Sequence, residues 1–155
     1  MKSLSYSFLF VVLSFFSCGS QGTGESSGSN EKTKSETPIS VVNQDFMANK
    51  GIGPVKSLTL GALDEAIAAE GKTLFDGYCV ACHNPTEKLI GPAPKGILER
   101  RSPEWIMNMI LNPMEMTEKD PVAKKQLEEA NGVPMISMGL TEEQARKILE
   151  YFRTL

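Results

Sequence analysis

The chain has 155 residues, with 16 Lys+Arg against 19 Asp+Glu, eight Met, three Cys and one His. That length holds one domain of ordinary size plus extra segments. A formal charge of -3 with interspersed signs leaves no basic footprint for nucleic acid, and a single His excludes two-His metal sites, bis-His haem ligation and HExxH chemistry. An odd Cys count argues against a simple disulfide framework.

Residues 1–17 read as an export signal. Lys2 supplies the positive start, and the run Phe8 to Phe16 is apolar but shorter than the roughly 20 residues a spanning helix needs. The run ends in Ser17-Cys18-Gly19, which resembles a bacterial lipoprotein processing site; that resemblance implies lipid on Cys18 and an anchor in a bacterial membrane, with the protein on its periplasmic side. Residues 18–37 hold Gly, Ser, Thr and charged residues and no large apolar side chain, so nothing offsets the entropy of ordering them. Such a segment is a flexible tether with a root-mean-square reach of about 25 Å. Residues 38–60, with the turn signal Gly51-Ile52-Gly53-Pro54, read as an extended arm lying on the domain at 61–155.

The remaining segments carry helical signals. Asp64 is a plausible N-cap for a helix to Tyr78, with Ile67, Gly71, Leu74, Phe75 and Tyr78 on one face. Gly71 costs about 1 kcal/mol against Ala in a helix, which points to close backbone contact there. Ser102-Pro103 opens a second helix that stops before Pro113, and Asp120-Pro121 opens a third that ends near Asn131-Gly132. Thr141 and Gln144 form a capping box for the last, with Leu140 stapled onto Ala145 and a stripe of Ala145, Ile148, Leu149 and Phe152. The expected fold is all-α: about four short helices, with long loops at 84–101, 112–119 and 131–140. Loops of that length imply that something other than side chains fills the centre.

Cys79-Val80-Ala81-Cys82-His83 is C-x-x-C-H, the c-type haem attachment motif. Two thiols about one helical turn apart can add to the two vinyl groups of a haem, and His83 then lies beneath the iron. A thioredoxin-like dithiol would need a βαβ context, and a zinc site would need four ligands. With no second His, a sixth ligand would be a methionine, from among Met47, Met107, Met109, Met114, Met116, Met135 and Met138. Met107 and Met109 sit on a helix and read as packing residues.

Residues 62–155 resemble the class I monohaem cytochrome c family. The likeness rests on Gly71 and Phe75 before C-x-x-C-H, Gly91-Pro92 after it, the run Arg100-Arg101-Ser102-Pro103-Glu104-Trp105, and the terminal Ile148-Leu149-Glu150-Tyr151-Phe152. It implies one covalent haem c, first and last helices crossing at the Gly and aromatic positions, and the Pro92 carbonyl as acceptor for the His83 ring. It also implies an axial Met on the loop before the last helix. That loop position selects Met135 in Val133-Pro134-Met135, with Met138 and Met116 as alternatives. Trp105, Arg100 and Arg101 are candidate donors to the haem propionates.

The implied activity is electron transfer without enzymatic turnover: a monomer cycling Fe(III) and Fe(II) between a respiratory complex and a terminal reductase or oxidase. Residues 91–155 also resemble small cytochromes that accompany nitrous oxide reductases. The rival readings are a haem sensor or peroxidase-like protein with an open sixth site, and a haem-free exported interaction module. Residues 38–155 keep the net charge of -3, since residues 1–37 hold three basic and three acidic side chains, so strong steering toward an acidic partner is not expected. Lys88, Lys95, Arg100 and Arg101 could form a local basic rim.

Overall fold

A computed structural model describes residues 46–155; the export signal, Cys18, the tether and the first part of the arm lie outside the described residues. Five α-helices follow the arm: α1 (Glu65–Tyr78), α2 (Pro103–Leu111), α3 (Pro113–Lys119), α4 (Pro121–Glu129) and α5 (Glu142–Phe152), with a 3₁₀ turn at Ile97–Glu99. No strand occurs among the described residues, and none of their helices is long and apolar enough to cross a membrane.

One helix is more than the sequence led us to expect. Residues 113–119 form α3 where a loop was anticipated. Pro113 ends α2, and the same residue at the first position of α3 needs no N–H partner and already has helical φ. The remaining turns are held by Thr117 Oγ1 donating to the Pro113 carbonyl at 3.0 Å and by the Lys119–Glu115 pair at 2.7 Å.

The crossing of α1 and α5 organises the core. Asp64 Oδ1 caps α1 by accepting from the N–H groups of Ala66 and Ile67, each at 3.0 Å. Its buried face is Ala68, Gly71 and Phe75, while Ile67 is exposed and Tyr78 lines a cavity. The Thr141–Gln144 capping box starts α5, which buries Ala145, Ile148, Leu149 and Phe152. At the crossing, a Cβ on Gly71 would collide with the Lys147 carbonyl and stand 3.0 Å from Ile148 N. Phe75 packs on Tyr151 and Phe152 at centroid distances of 5.6 and 5.7 Å. Burying a ring of that size stabilises by about 1.5–3 kcal/mol.

Glu150 locks this crossing from the polar side. Its buried carboxylate accepts from Asp64 N at 2.9 Å and from Arg146 Nη1 and Arg153 Nη1, each at 2.6 Å. Burial alone would raise its pKa; the Asp64 N–H and the two guanidinium donors outweigh that and hold it down at about 2.

The arm lies along α2. Glu104, Asn108 and Asn112, one turn apart, face its main chain. Glu104 Oε1 accepts from Leu58 N and from Lys50 Nζ, and Asn108 bonds Lys50 O, Val55 O and Val55 N at 2.9, 2.9 and 3.0 Å. Asn112 Nδ2 reaches Ile52 O at 3.3 Å. A Cβ on Gly53 would stand 2.8 Å from Asn108 Cγ, which is why the arm approaches this closely only at glycine.

Helix propensity alone favours Gly71→Ala by about 1 kcal/mol. The collision with the rigid Lys147 carbonyl costs more, since overpacking a tight contact costs about 1–3 kcal/mol. We expect Gly71→Ala to lower Tm by several degrees in thermal unfolding; an unchanged or higher Tm would show that the crossing can open without cost.

Candidate functional site

The C-x-x-C-H segment turns away from the end of α1. Cys79 N–H donates to Phe75 O at 2.8 Å, closing the helix, and the N–H groups of Cys82 and His83 then both donate to Cys79 O at 3.1 and 2.9 Å. This tight turn puts Cys79, Cys82 and His83 on one wall of a cavity of about 300 Å³. Phe75, Tyr78, Ile97, Trp105, Ile106, Met109, Ile110, Leu127, Ile148 and Phe152 make the lining almost wholly apolar. Val133, Pro134, Met135, Ile136 and Met138 line it from the loop before α5.

The His83 ring is held from behind. Its Nδ1 lies 2.9 Å from the Pro92 carbonyl oxygen, which only accepts, so Nδ1 carries the proton and Nε2 is the nitrogen left to bind a metal. Gly91 N–H donates to Cys82 O at 2.9 Å, tying that loop to the motif. A Cβ on Gly91 would stand 2.6 Å from His83 Nδ1, so only glycine lets Pro92 come so near. Burial pushes the Cys79 thiol up to about 11, with Cys82 adding to the effect. That is the opposite of the lowered thiol pKa used by a dithiol oxidoreductase.

These features fit a haem: two thiols at the attachment spacing, an imidazole with one nitrogen free for iron, thioether sulfurs on the cavity lining and apolar walls. The lining includes Met109, Met135 and Met138. Met116 departs from its sequence expectation. It lies on α3 and not in a loop, is fully buried outside the cavity lining, and its sulfur accepts from Ile52 N–H at 3.0 Å. That contact ties α3 to the arm. Met107 is core.

The propionate-donor candidates separate as well. Trp105 lines the cavity, but its indole N–H donates to Asp120 Oδ1 at 3.1 Å, so that donor is already engaged. Arg100 donates to Ala93 O at 2.9 Å and Lys95 O at 3.0 Å, closing the loop ahead of the 3₁₀ turn. Arg101 Nη1 donates to the Arg100 carbonyl, while its Nε is buried with no hydrogen-bond partner among the described residues. Burial lowers the Arg101 pKa, Arg100 adds to that, and Asp120 and Glu129 oppose it. Lys88, expected on a basic rim, donates to Glu129 O at 3.0 Å.

Asp120 is the site residue that sequence reasoning missed beyond its capping role. Its carboxylate caps α4 through Val122 N and Ala123 N, accepts from Trp105, and accepts from Asn49 Nδ2 of the arm at 2.8 Å. The capping signal was readable; the two distant partners were not.

The Gly91 approach makes a direct expectation. Gly91→Ala forces the His83 ring off the Pro92 carbonyl, so the full chain made in a haem-attaching host should carry several-fold less covalent haem per polypeptide by haem staining. Gly77→Ala, in open space, serves as the control. Equal staining of the two variants would show that the close approach is not required.

Comparisons with known proteins agree with this geometry. The cytochrome c family pattern matches residues 68–155. A cytochrome c from Rhodothermus marinus is 48% identical, with a TM-score of 0.64 over 66% of this chain and 88% of that one. An engineered form of it is 47% identical, with a TM-score of 0.63 over 66% and 89%. A structure of the engineered form bound to a carbene intermediate is 48% identical, with a TM-score of 0.61 over 66% and 88%. A search of curated proteins finds no match. Members of the matched family carry covalent haem c and serve haem-based electron transfer, and the Cys79–Cys82 spacing with His83 is the one such attachment needs. On the match across residues 68–155, the chain belongs to the cytochrome c family.

Proposed function

We propose that this protein is a membrane-tethered periplasmic electron carrier, with His83 and Met135 as the axial ligands of its one haem. The observation that supports the ligand reading is that two groups line one cavity. His83 is fixed by Pro92 on one wall, and Met135, half-buried, lies on the loop that lines the same cavity. When bound, the haem supplies one-electron chemistry between Fe(III) and Fe(II). The chain fixes the imidazole tautomer through Pro92, offers a neutral thioether from Met135, and excludes water with apolar side chains. His/Met ligation and an apolar shell both raise a haem potential, which suits a carrier.

Met138 lines the same cavity from the same loop and is the alternative ligand. An open sixth site, as in a sensor or peroxidase-like protein, is the second reading; the engineered relative bound to a carbene intermediate gives it a concrete form. Under our reading the resting chain offers no such open position, and we assign it no enzymatic turnover. It works as a monomer, receives electrons from a respiratory complex and passes them to a terminal reductase or oxidase. Its contacts are small and short-lived, as is usual for redox encounters.

In the ferric full-length protein we expect the weak near-infrared band of an iron–methionine bond, and no carbon monoxide binding after reduction. Met135→Ala should lose the band and bind carbon monoxide, while Met138→Ala keeps the wild-type spectrum. A band that survives in Met135→Ala but vanishes in Met138→Ala would transfer the ligand role to Met138, and a wild type that binds carbon monoxide rapidly would favour the open site. For the anchor, Cys18→Ser should move the protein from the detergent phase to the aqueous phase after export; an unchanged partition would remove lipid at Cys18 from the account.

A further inference from the structure

The arm seats on side chains of α2 that do not line the cavity, and every one of its attachments is made within the polypeptide. Asn108 contributes most. Its one amide group closes both main-chain groups of Val55, accepting from the N–H at 3.0 Å and donating to the carbonyl at 2.9 Å, and it donates to the Lys50 carbonyl as well. A neighbouring strand would satisfy the Val55 groups in the same way. Ser102 Oγ donates to the Asn49 carbonyl at 2.6 Å, Asn49 Nδ2 donates to Asp120 at 2.8 Å, and the Met116 sulfur accepts from Ile52 N–H. The arm thereby joins the starts of α2 and α4 to α3.

The buried side chains divide accordingly. Val55, Met107, Met116 and Ala123 are buried outside the cavity lining, so their packing is complete within the polypeptide. Phe75, Ile148 and Phe152, at the crossing of α1 and α5, line the cavity and turn one side to whatever fills it. Trp105 belongs to both groups. It lines the cavity, yet its indole N–H is bonded to Asp120, and a Cβ on Gly51 of the arm would stand 3.2 Å from its Cδ1. The polypeptide alone buries Trp105 to 1% exposure.

A c-type haem is attached to a finished polypeptide, so each chain passes through a stage in which the lining of α1 and α5 lacks its apolar partner. A site that forms only on binding draws binding free energy into folding; a wall folded in advance does not. We propose that the arm is a brace for the chain at that stage: it holds α2, α3 and α4 folded before haem arrives, so that Cys79, Cys82 and His83 are loaded against a cavity wall already built. This rests on the chain carrying haem c and is independent of which methionine is axial.

The test uses the full chain in two forms, the haem-loaded protein and a Cys79→Ala/Cys82→Ala variant shown to be without haem absorption. Trp105 is the one tryptophan of the chain, so its emission reports on α2. In the haem-free form we expect the emission of a buried indole and slow amide exchange over residues 50–58 and 104–119. Asn108→Ala removes the bridging amide, and Gly53→Ala places a Cβ 2.8 Å from Asn108 Cγ, so the two act on one contact from its two sides. Each should shift the haem-free emission to the red and speed exchange in both segments several-fold, while the haem-loaded form keeps its slow exchange. Each should also lower covalent haem per polypeptide several-fold in a haem-attaching host. Emission of a solvent-exposed indole from the haem-free parent overturns the proposal. Slow exchange that survives both substitutions overturns the part given to the arm. Equal losses in the haem-loaded form also overturn it, because the arm would then support the fold at every stage alike. Unchanged haem content in both variants overturns the link to loading. A wild type without covalent haem sinks the haem reading and the loading role together, whatever the exchange shows.

Discussion

The whole arrangement depends on the close backbone contact between α1 and α5 at Gly71. Only a residue without a side chain lets α1 approach the Lys147 carbonyl of α5. That approach brings Phe75 under Tyr151 and Phe152, and it fixes where α1 ends. Cys79 follows immediately, so the direction of the haem-attachment turn is inherited from the crossing. Ile148 and Phe152, from the same face of α5, become part of the cavity lining. The Glu150 carboxylate ties the start of α1 to α5 through Asp64, and its low pKa shows that the donors around it outweigh the cost of burying the charge.

Helix α2 transmits order from the outside to the cavity. Its inner face contributes Trp105, Ile106, Met109 and Ile110 to the lining. Its outer face carries Glu104, Asn108 and Asn112, whose partners are main-chain groups of the arm. Side chains reading a main chain hold an extended segment without requiring it to form a strand. The arm thereby satisfies polar groups that would otherwise be buried without partners, which would cost about 1–3 kcal/mol each. Met116 and Asn49 extend the same attachment to α3 and to the start of α4.

Local signals were the legible ones. Asp64, Ser102, Asp120 and the Thr141–Gln144 box each cap the helix that the sequence assigned to them, because a cap is read over three or four residues. The C-x-x-C-H turn and the Gly91-Pro92 approach to His83 are nearly as local. Helix α3 was missed because Asn112 makes no side-chain cap bond and reaches Ile52 and Glu115 instead, so Pro113 read only as a stop. The polar stripe of Glu104, Asn108 and Asn112 was not read from the sequence. Its meaning depends on residues about fifty positions away. Trp105 and Arg101 also depend on partners beyond their own helical turn, Asp120 at the start of α4 and Phe46 in the arm.

The two walls of the cavity differ in how firmly they are built. The His83 side is tied by short main-chain bonds on both flanks, from Cys79 O to the motif and from Gly91 N back to Cys82. By contrast, no backbone–backbone hydrogen bond joins residues 134–140 to the rest of the described chain, and Gly139 adopts a left-handed φ of 66°. That segment is placed by side chains, with Met135 and Leu140 packed against the core. The proposed ligand pair would have one rigid member and one held mainly by packing. A thioether carries no charge in either oxidation state, so under the proposed ligation it needs no proton movement when the iron changes charge. The sulfur then keeps its place because leaving would expose apolar lining to water, and the stability of the iron–sulfur contact becomes a property of the packing around the loop as much as of the bond itself.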